Sequence, residues 1–357
     1  MGPALERFEE KMATRCHTNH AVAVSSGTAA LHCIVRALDL PKGGTVITTP
    51  YSFVASSNVL LFEDLRPRLV DIDPATYNID PAHVEAAITP STCAILAVDV
   101  FGTPANWPRL RAIADAHDVA LIADSCEALG ASVRNRPIGA WGDAAAFGFY
   151  PNKQITTGEG GCITTNDATL ASTCRSLRNQ GRATDGEMRH VRLGYNYRLS
   201  ELQAALGAAQ LDRLDEILSA RAEVAARYHE ALEPFASDLR RPSPEIANGT
   251  RSWFVYVVEL RAPWSRHHRD ALCTALRNAG IGCAPYFPAI HLQPLYRERF
   301  GFTRGTFPHC ESISARTLAL PFFGALSDAQ MTHVVEALHT HLPACAPSEV
   351  VSSSAAL

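Results

Sequence analysis

The sequence predicts an α/β protein: a large unit built on a mostly parallel central sheet flanked by helices, followed by a smaller C-terminal α+β unit. Three observations predict it. Residues 21–165 alternate short apolar runs with helix-like segments, and such alternation reads as crossover units on a buried parallel sheet. A long helical pattern follows over 200–233. A Pro-rich break, RRPSPEIANGT at 240–250, then leads into a different mixture of strand and helix patterns.

In order, the candidate strands are AVAVSS (21–26), TVITT (45–49), RLVDI (68–72), CAILAVD (93–99), VALIAD (119–124), AAAFGF (144–149) and GCITT (161–165). Helical patterns lie between them near 28–39, 53–63, 81–88 and 107–117. In sheets of this kind ligands bind outside the carboxyl ends of the strands. Over 200–233 an apolar stripe runs through Leu202, Leu206, Ala209, Leu211, Leu214, Ile217 and Leu218. Ser200 followed by Gln203 resembles a capping box. WFVYVVEL (253–260), a helix near 266–279, IGCAPYF (281–287) and a last helix near 327–341 make up the smaller unit. The expected division is 1–225, 226–344 and a tail at 345–357 whose lack of periodicity predicts disorder.

Composition narrows the function. A chain of 357 residues with 47% hydrophobic residues can bury a large core without staples. No apolar run approaches the length of a membrane span. MGPALERFEEKM has no basic region followed by an apolar stretch, so no signal peptide is expected there. A net charge of −4 makes no electrostatic case for nucleic acid. The ten cysteines contain no C-x-x-C and fall mostly in apolar stretches, which predicts reduced thiols in a cytoplasmic protein. No Cys/His cluster has zinc spacing, and the pair His267–His268 reads as a solvated helix start. Of the 32 basic residues only three are lysines, Lys11, Lys42 and Lys153, so lysine chemistry has very few candidates.

Three segments carry chemistry. SSGTAAL (25–31) follows a strand and opens a helix. Free N–H groups there, with Gly27 allowing close approach and Thr28 adding a hydroxyl, suit a phosphate; an ordinary Ser/Thr cap has the same appearance. Asp124 ends VALIAD, and an acid at the end of a buried strand needs a partner, whether a metal, a substrate, a cationic ring nitrogen or a structural ion pair. Lys153 sits in FGFYPNKQITTGEGG (147–161) with no charged residue within five positions on either side. Such seclusion favours a neutral amine and suits Schiff-base chemistry, whereas Lys11 and Lys42 read as solvated. A phosphate cradle, a buried acid and a secluded lysine together are what pyridoxal 5′-phosphate (PLP) needs.

The chain resembles the DegT-type sugar aminotransferases of the fold-type-I PLP-dependent enzymes. The matching stretches, in the family's order, include AVSSGTAAL (23–31), TTPYSFVASSNVLLFEDLRPRLVDIDPATYNID (48–80), LIADSCEALGA (121–131), GDAAAFGFYPNKQITTGEGG (142–161) and GYNYRLSELQAALGAAQL (194–211). The resemblance implies that Lys153 binds the cofactor aldehyde and shuttles the proton, and that Asp124 pairs with the ring nitrogen. It implies that Gly27 and Thr28 form the phosphate turn and that Phe53 stacks on the ring. Asn196 would reach the phosphate from a neighbouring subunit, hence a homodimer with a shared site. Glu127 stands where many relatives carry Gln or His near the ring hydroxyl, and Gly148 where many carry a phosphate-binding serine. Relatives usually have a couple of dozen more residues before the point where this chain begins.

The implied reaction takes an amine from glutamate or glutamine to a keto sugar, most directly a nucleotide-linked keto-deoxysugar. Arg178, Arg182 and Arg198 are candidates for carboxylate or phosphate recognition, with exposed salt bridges as the plainer alternative. Other readings are a cyclitol-ketone aminotransferase, a PLP-dependent sugar dehydratase, against which the retained Lys153 argues, and a PLP-binding regulatory protein without turnover.

Overall fold

The protein is described by a computed structural model covering residues 2–183 and 188–347. The chain opens with α1 (Pro3–Cys16), β1 (His20–Val24), α2 (Gly27–Ala37), β2 (Thr45–Thr48), α3 (Ala55–Phe62) and β3 (Arg66–Leu69). It continues through α4 (Pro81–Ala87), β4 (Thr92–Val98), α5 (Trp107–His117), β5 (Ala120–Asp124), β6 (Ser132–Val133), β7 (Arg136–Pro137), β8 (Ala144–Gly148), β9 (Gly161–Thr165) and α6 (Ala168–Arg178). Two helices follow, α7 (Glu201–Asp212) and α8 (Leu214–Ala231). The remainder is β10 (Leu239–Arg240), β11 (Gly249–Thr250), β12 (Tyr256–Leu260), α9 (Arg266–Asn278), β13 (Ala284–Pro285), α10 (Pro294–Phe300), α11 (Pro308–Arg316), β14 (Thr317–Leu320) and α12 (Asp328–Cys345).

The main sheet has the order β1-β9-β8-β5-β4-β2-β3. Neighbours from β8 through β3 pair in parallel. β9 alone runs against both of its partners, β8 and β1. Successive side chains of a strand face opposite sides, and the core divides accordingly. Leu121, Ala123, Ala145 and Phe147 join one cluster with α1 and α5. Ile122, Ala144, Ala146 and Ile163 join the other, with α2 and α6. β5 lies at the centre, and the register Val98–Asp124–Ala146 puts Asp124 at its carboxyl end. A second sheet, β10-β12-β14-β13, packs with α8, α9 and α12 into a third cluster.

α1 buries Leu5, Phe8 and Met12. The Phe8 ring meets Phe149 edge-on, centroids 5.4 Å apart, just before the Lys153 turn. Phe8→Ala is expected to cost about 3–5 kcal/mol of stability through the cavity left behind. A urea titration measures this; a change below about 1 kcal/mol would mean that α1 is not integral to the fold.

Several sequence expectations are corrected. The helix expected over 200–233 is two, broken at Arg213, whose backbone leaves helical geometry (φ −106°, ψ 9°). Its stripe does not face the core as a whole: Leu202 is 86% and Leu206 44% exposed, while Ala204, Gly207 and Ala208 are buried. The approach of α1 explains this, because a Cβ on Gly207 would lie 2.7 Å from the Phe8 ring. Only the small residues fit that contact, so the leucines face outward. The capping box at Ser200 and Gln203 is present.

The strand expected at 68–72 lies at Arg66–Leu69, because the Asp71 carboxylate turns away to accept the His309 and Cys310 N–H groups. WFVYVVEL becomes a strand only from Tyr256, since the Trp253 and Phe254 carbonyls accept from Arg221 instead. His268 does open a helix, α9, where its Nδ1 accepts the Ser265 N–H at 3.1 Å. The last helix runs on to Cys345, and residues 348–357 of the tail lie outside the described residues.

Candidate active site

A cavity of about 480 Å³ opens at the carboxyl ends of β1, β5 and β8. The β1–α2 turn forms one wall. Ser26 caps α2 by accepting the Ala29 N–H at 3.0 Å, and the amides of Gly27 and Thr28 open the helix without intrahelical acceptors. A Cβ on Gly27 would lie 2.8 Å from Cys126 Sγ and 3.3 Å from Gly148 Cα. A Cβ on Gly161 would lie 2.2 Å from the Ser26 carbonyl oxygen. Both glycines are therefore demanded by close approach. The result is a bare backbone cradle of N–H groups at a helix start, which fits a phosphate.

Asp124 is 6% exposed and lines the same cavity. Its Oδ2 accepts from Ser56 Oγ at 2.7 Å and its Oδ1 from the Cys126 N–H at 3.3 Å. Among the described residues no cation pairs with it, so the structural ion pair weighed from sequence is not formed. A buried carboxylate with two neutral donors and no counter-charge is costly. A protonated ring nitrogen in the cavity would supply the missing partner, so the residues present fit PLP. Burial, followed by the Asp124 charge, pushes the Cys126 thiol well above its ordinary range.

Lys153 reaches the cavity from the β8–β9 connection. Its seclusion in sequence does not hold in space: Nζ lies 3.4 Å from Glu127 Oε1 and 4.1 Å from the centroid of the Phe254 ring. Glu127 is buried, and its Oε2 accepts the Phe101 N–H at 2.9 Å. Burial pushes the Glu127 carboxyl up, and Lys153 opposes that. The backbone of Lys153 is tied down as well. Arg221 Nη2 donates to the Lys153 carbonyl at 3.1 Å, and Nη1 donates to the carbonyls of Phe254 at 3.1 Å and Trp253 at 3.4 Å. No carboxylate pairs with this buried guanidinium among the described residues, and burial lowers its pKa.

Phe53 is 63% exposed at the cavity, so it is not a core residue. Asn196 is exposed and stands outside the cavity wall, in an isolated bridge with Asn179. Its neighbours are anchored, Tyr197 to His32 Nδ1 at 3.1 Å and Tyr195 to Glu63 at 3.3 Å. Arg178 is not available for substrate: it is 2% exposed, paired with Glu9 and donating to the Ala23 carbonyl. Its bonds from α6 to Glu9 of α1 and to β1 use up the guanidinium. Arg198 is exposed and donates to Asn179 at 3.1 Å, and Arg182 lies beside Met188.

The chain matches the model of the DegT/DnrJ/EryC1/StrS aminotransferase family over residues 1–339. It belongs to that family. GDP-perosamine synthase of Caulobacter vibrioides is 36% identical over 338 residues, which cover 95% of this chain and 90% of that one. The spore coat polysaccharide biosynthesis protein SpsC of Bacillus subtilis is 34% identical over 355 residues, 94% of this chain and 89% of that one. The crystal structure of DesV from S. venezuelae superimposes with a TM-score of 0.88 at 34% identity, over 95% of this chain and 89% of that one. Membership makes the protein a PLP-dependent aminotransferase of the fold type that the sequence predicted. Among the described residues no helix is long and apolar enough to cross a membrane, and no cluster of side chains could hold a metal ion.

Sequence reasoning missed Ser56, Phe254, Tyr286 and Arg221 as parts of the site. The Tyr286 phenol is pushed up by burial and by the Glu127 charge. Buried aromatic and arginine residues have no local signature, and each meets the site only through the tertiary fold.

Proposed function

We propose that the protein takes an amino group from glutamate or glutamine and delivers it to a keto sugar, most directly a nucleotide-linked keto-deoxysugar. One observation carries the reading: Gly27, Thr28, Asp124 and Lys153 line a single cavity. The names of relatives that act in perosamine and spore-coat polysaccharide formation support the sugar as acceptor.

When bound, PLP supplies an aldehyde that takes up amines and a ring that draws electrons from the attached carbon. The chain's own residues do the rest. Lys153 holds the aldehyde carbon through Nζ and, once displaced, moves a proton at Nζ to and from the substrate carbon. Asp124 keeps the ring nitrogen protonated. The Gly27 and Thr28 amides bind the phosphate. Phe53 and Glu127 line the same cavity; Phe53 would cover a ring face, and Glu127, 3.4 Å from the Lys153 amine, would face that amine.

The cavity wall carries three carboxylates, Asp124, Glu127 and Glu159, against the single cation Lys153 among the described residues. A doubly anionic phosphate there gains from further donors, and Asn196 of the partner subunit is the proposed one. Leu202, Leu206 and Leu193 are exposed, and a homodimer that covered them would take apolar surface out of water. We further propose the division into a cofactor unit over 1–225 and a smaller unit over 226–344, and a cytoplasmic location.

The test is spectroscopic and preparative. The yellow, PLP-loaded protein is expected to bleach on addition of glutamate or glutamine. Incubation with a panel of nucleotide-linked keto sugars and cyclitol ketones should then restore the colour and yield an amino sugar. A loaded protein that no amino donor bleaches is not a transaminase.

A further inference from the structure

Transfer between two substrates at one cofactor carbon requires Lys153 to let go and return in every cycle. The donor amine takes the carbon that Lys153 held, one C–N linkage forming as another breaks, and Lys153 leaves as a free amine. Two buried carboxylates line the cavity, Asp124 and Glu127. An amine that settled on Asp124 would cancel the charge kept for the ring nitrogen.

The structure holds the amine elsewhere. Nζ lies between Glu127 Oε1, at 3.4 Å, and the face of Phe254, at 4.1 Å. A carboxylate on one side and an aromatic face on the other both favour a cation. Each wall is fixed from outside. The Phe101 N–H holds Glu127 Oε2 at 2.9 Å, and Gln154 Nε2, from the residue after the lysine, donates to the Glu127 carbonyl. Arg221 ties the carbonyls of Phe254 and Lys153 together. At 3.4 Å the contact is longer than the 2.7–2.9 Å of a tight charge-assisted bond. The place therefore receives the amine without trapping it.

We propose that Glu127 and Phe254 form a berth for the Lys153 amine while it is detached, so that Glu127 sets the balance between the aldehyde and amine forms of the loaded enzyme. The inference rests on the reading of Lys153 as the cofactor anchor. The berth stabilises only the state in which the lysine is free. Its loss therefore shifts the half-reaction with donor toward the aldehyde form.

The experiment uses Glu127→Gln, whose amide oxygen still accepts the Phe101 N–H. Loaded wild-type and variant enzymes are titrated at one pH with mixtures of donor and its keto acid, and the two forms are read by absorbance. The donor-to-keto-acid ratio at half-conversion is expected to rise roughly tenfold in E127Q. It should rise two- to fivefold in Phe254→Leu, which leaves the Glu127 bonds intact and stands in if E127Q fails to fold. A second readout needs no cofactor: acetylation of Lys153 in the cofactor-free chain, followed by peptide mass, should be several-fold faster in E127Q. An unchanged ratio overturns the proposal, and so does a shift toward the amine form, because the carboxylate would then serve the attached lysine. Borohydride reduction of the loaded wild type tests the underlying reading separately. A reduced adduct on any peptide other than the one containing residue 153 refutes the anchor, whatever the ratio in E127Q.

Discussion

Lys153→Ala is expected to lose at least about 10⁴-fold in turnover and to yield no borohydride-reducible adduct with PLP. The other two lysines offer no substitute. Lys11 pairs with Asp212 on α1 and α7, and Lys42 pairs with Asp64 at 3.1 Å; neither lines the cavity. No other lysine can therefore take up the aldehyde at the end of the cycle or carry the proton to the substrate carbon. The fold should survive, because the Lys153 backbone keeps its bonds to Arg221 and Tyr150. A melting temperature near wild type together with lost turnover is the expected pair of results. A K153A protein that still forms a reducible adduct, or retains a tenth of its activity, would show that the anchor lies elsewhere.

The parts of this site that sequence reasoning reached are those with a local cause. Asp124 is legible because a strand pattern ends on an acid, and a parallel sheet displays its strand ends. Gly27 and Thr28 are legible because a cap and a glycine open a helix behind a strand. Lys153 stands out by count and by its lack of charged neighbours. What could not be read is what faces these residues. Glu127 lies 26 positions before Lys153, and Arg221 lies 68 positions after it. Ser56, which holds Asp124, is 68 positions from it. Phe254 lies two residues before β12 of the second sheet, 101 positions from the lysine it faces. Apolar periodicity failed in the same way at α7, where it identified an apolar face but not what covers it. The small residues of the other face take the contact with α1, and the leucines are left exposed. Arg178 is the converse: a charged residue in a motif-like stretch whose guanidinium is already taken by Glu9 of α1 and the Ala23 carbonyl of β1.

Asp124→Asn separates charge from shape at the ring nitrogen. The amide is isosteric with the carboxyl, and its oxygen can still accept from Ser56 Oγ, so the 2.7 Å contact survives in kind. What disappears is the negative charge. Removing a buried charge that has no ion-pair partner relieves a desolvation cost, so the unfolding midpoint of the cofactor-free protein should hold or rise. Turnover should move the other way, falling about 10²- to 10³-fold, because preorganised charge at the reacting group is lost. With no anion to hold the ring nitrogen protonated, the loaded variant should also bleach more slowly with donor in a single turnover. The combination of unchanged or higher stability and a slower chemical step distinguishes a site carboxylate from a structural one. If D124N instead unfolds at markedly lower urea and keeps its single-turnover rate, the carboxylate serves the packing of β5 and α3 rather than the ring.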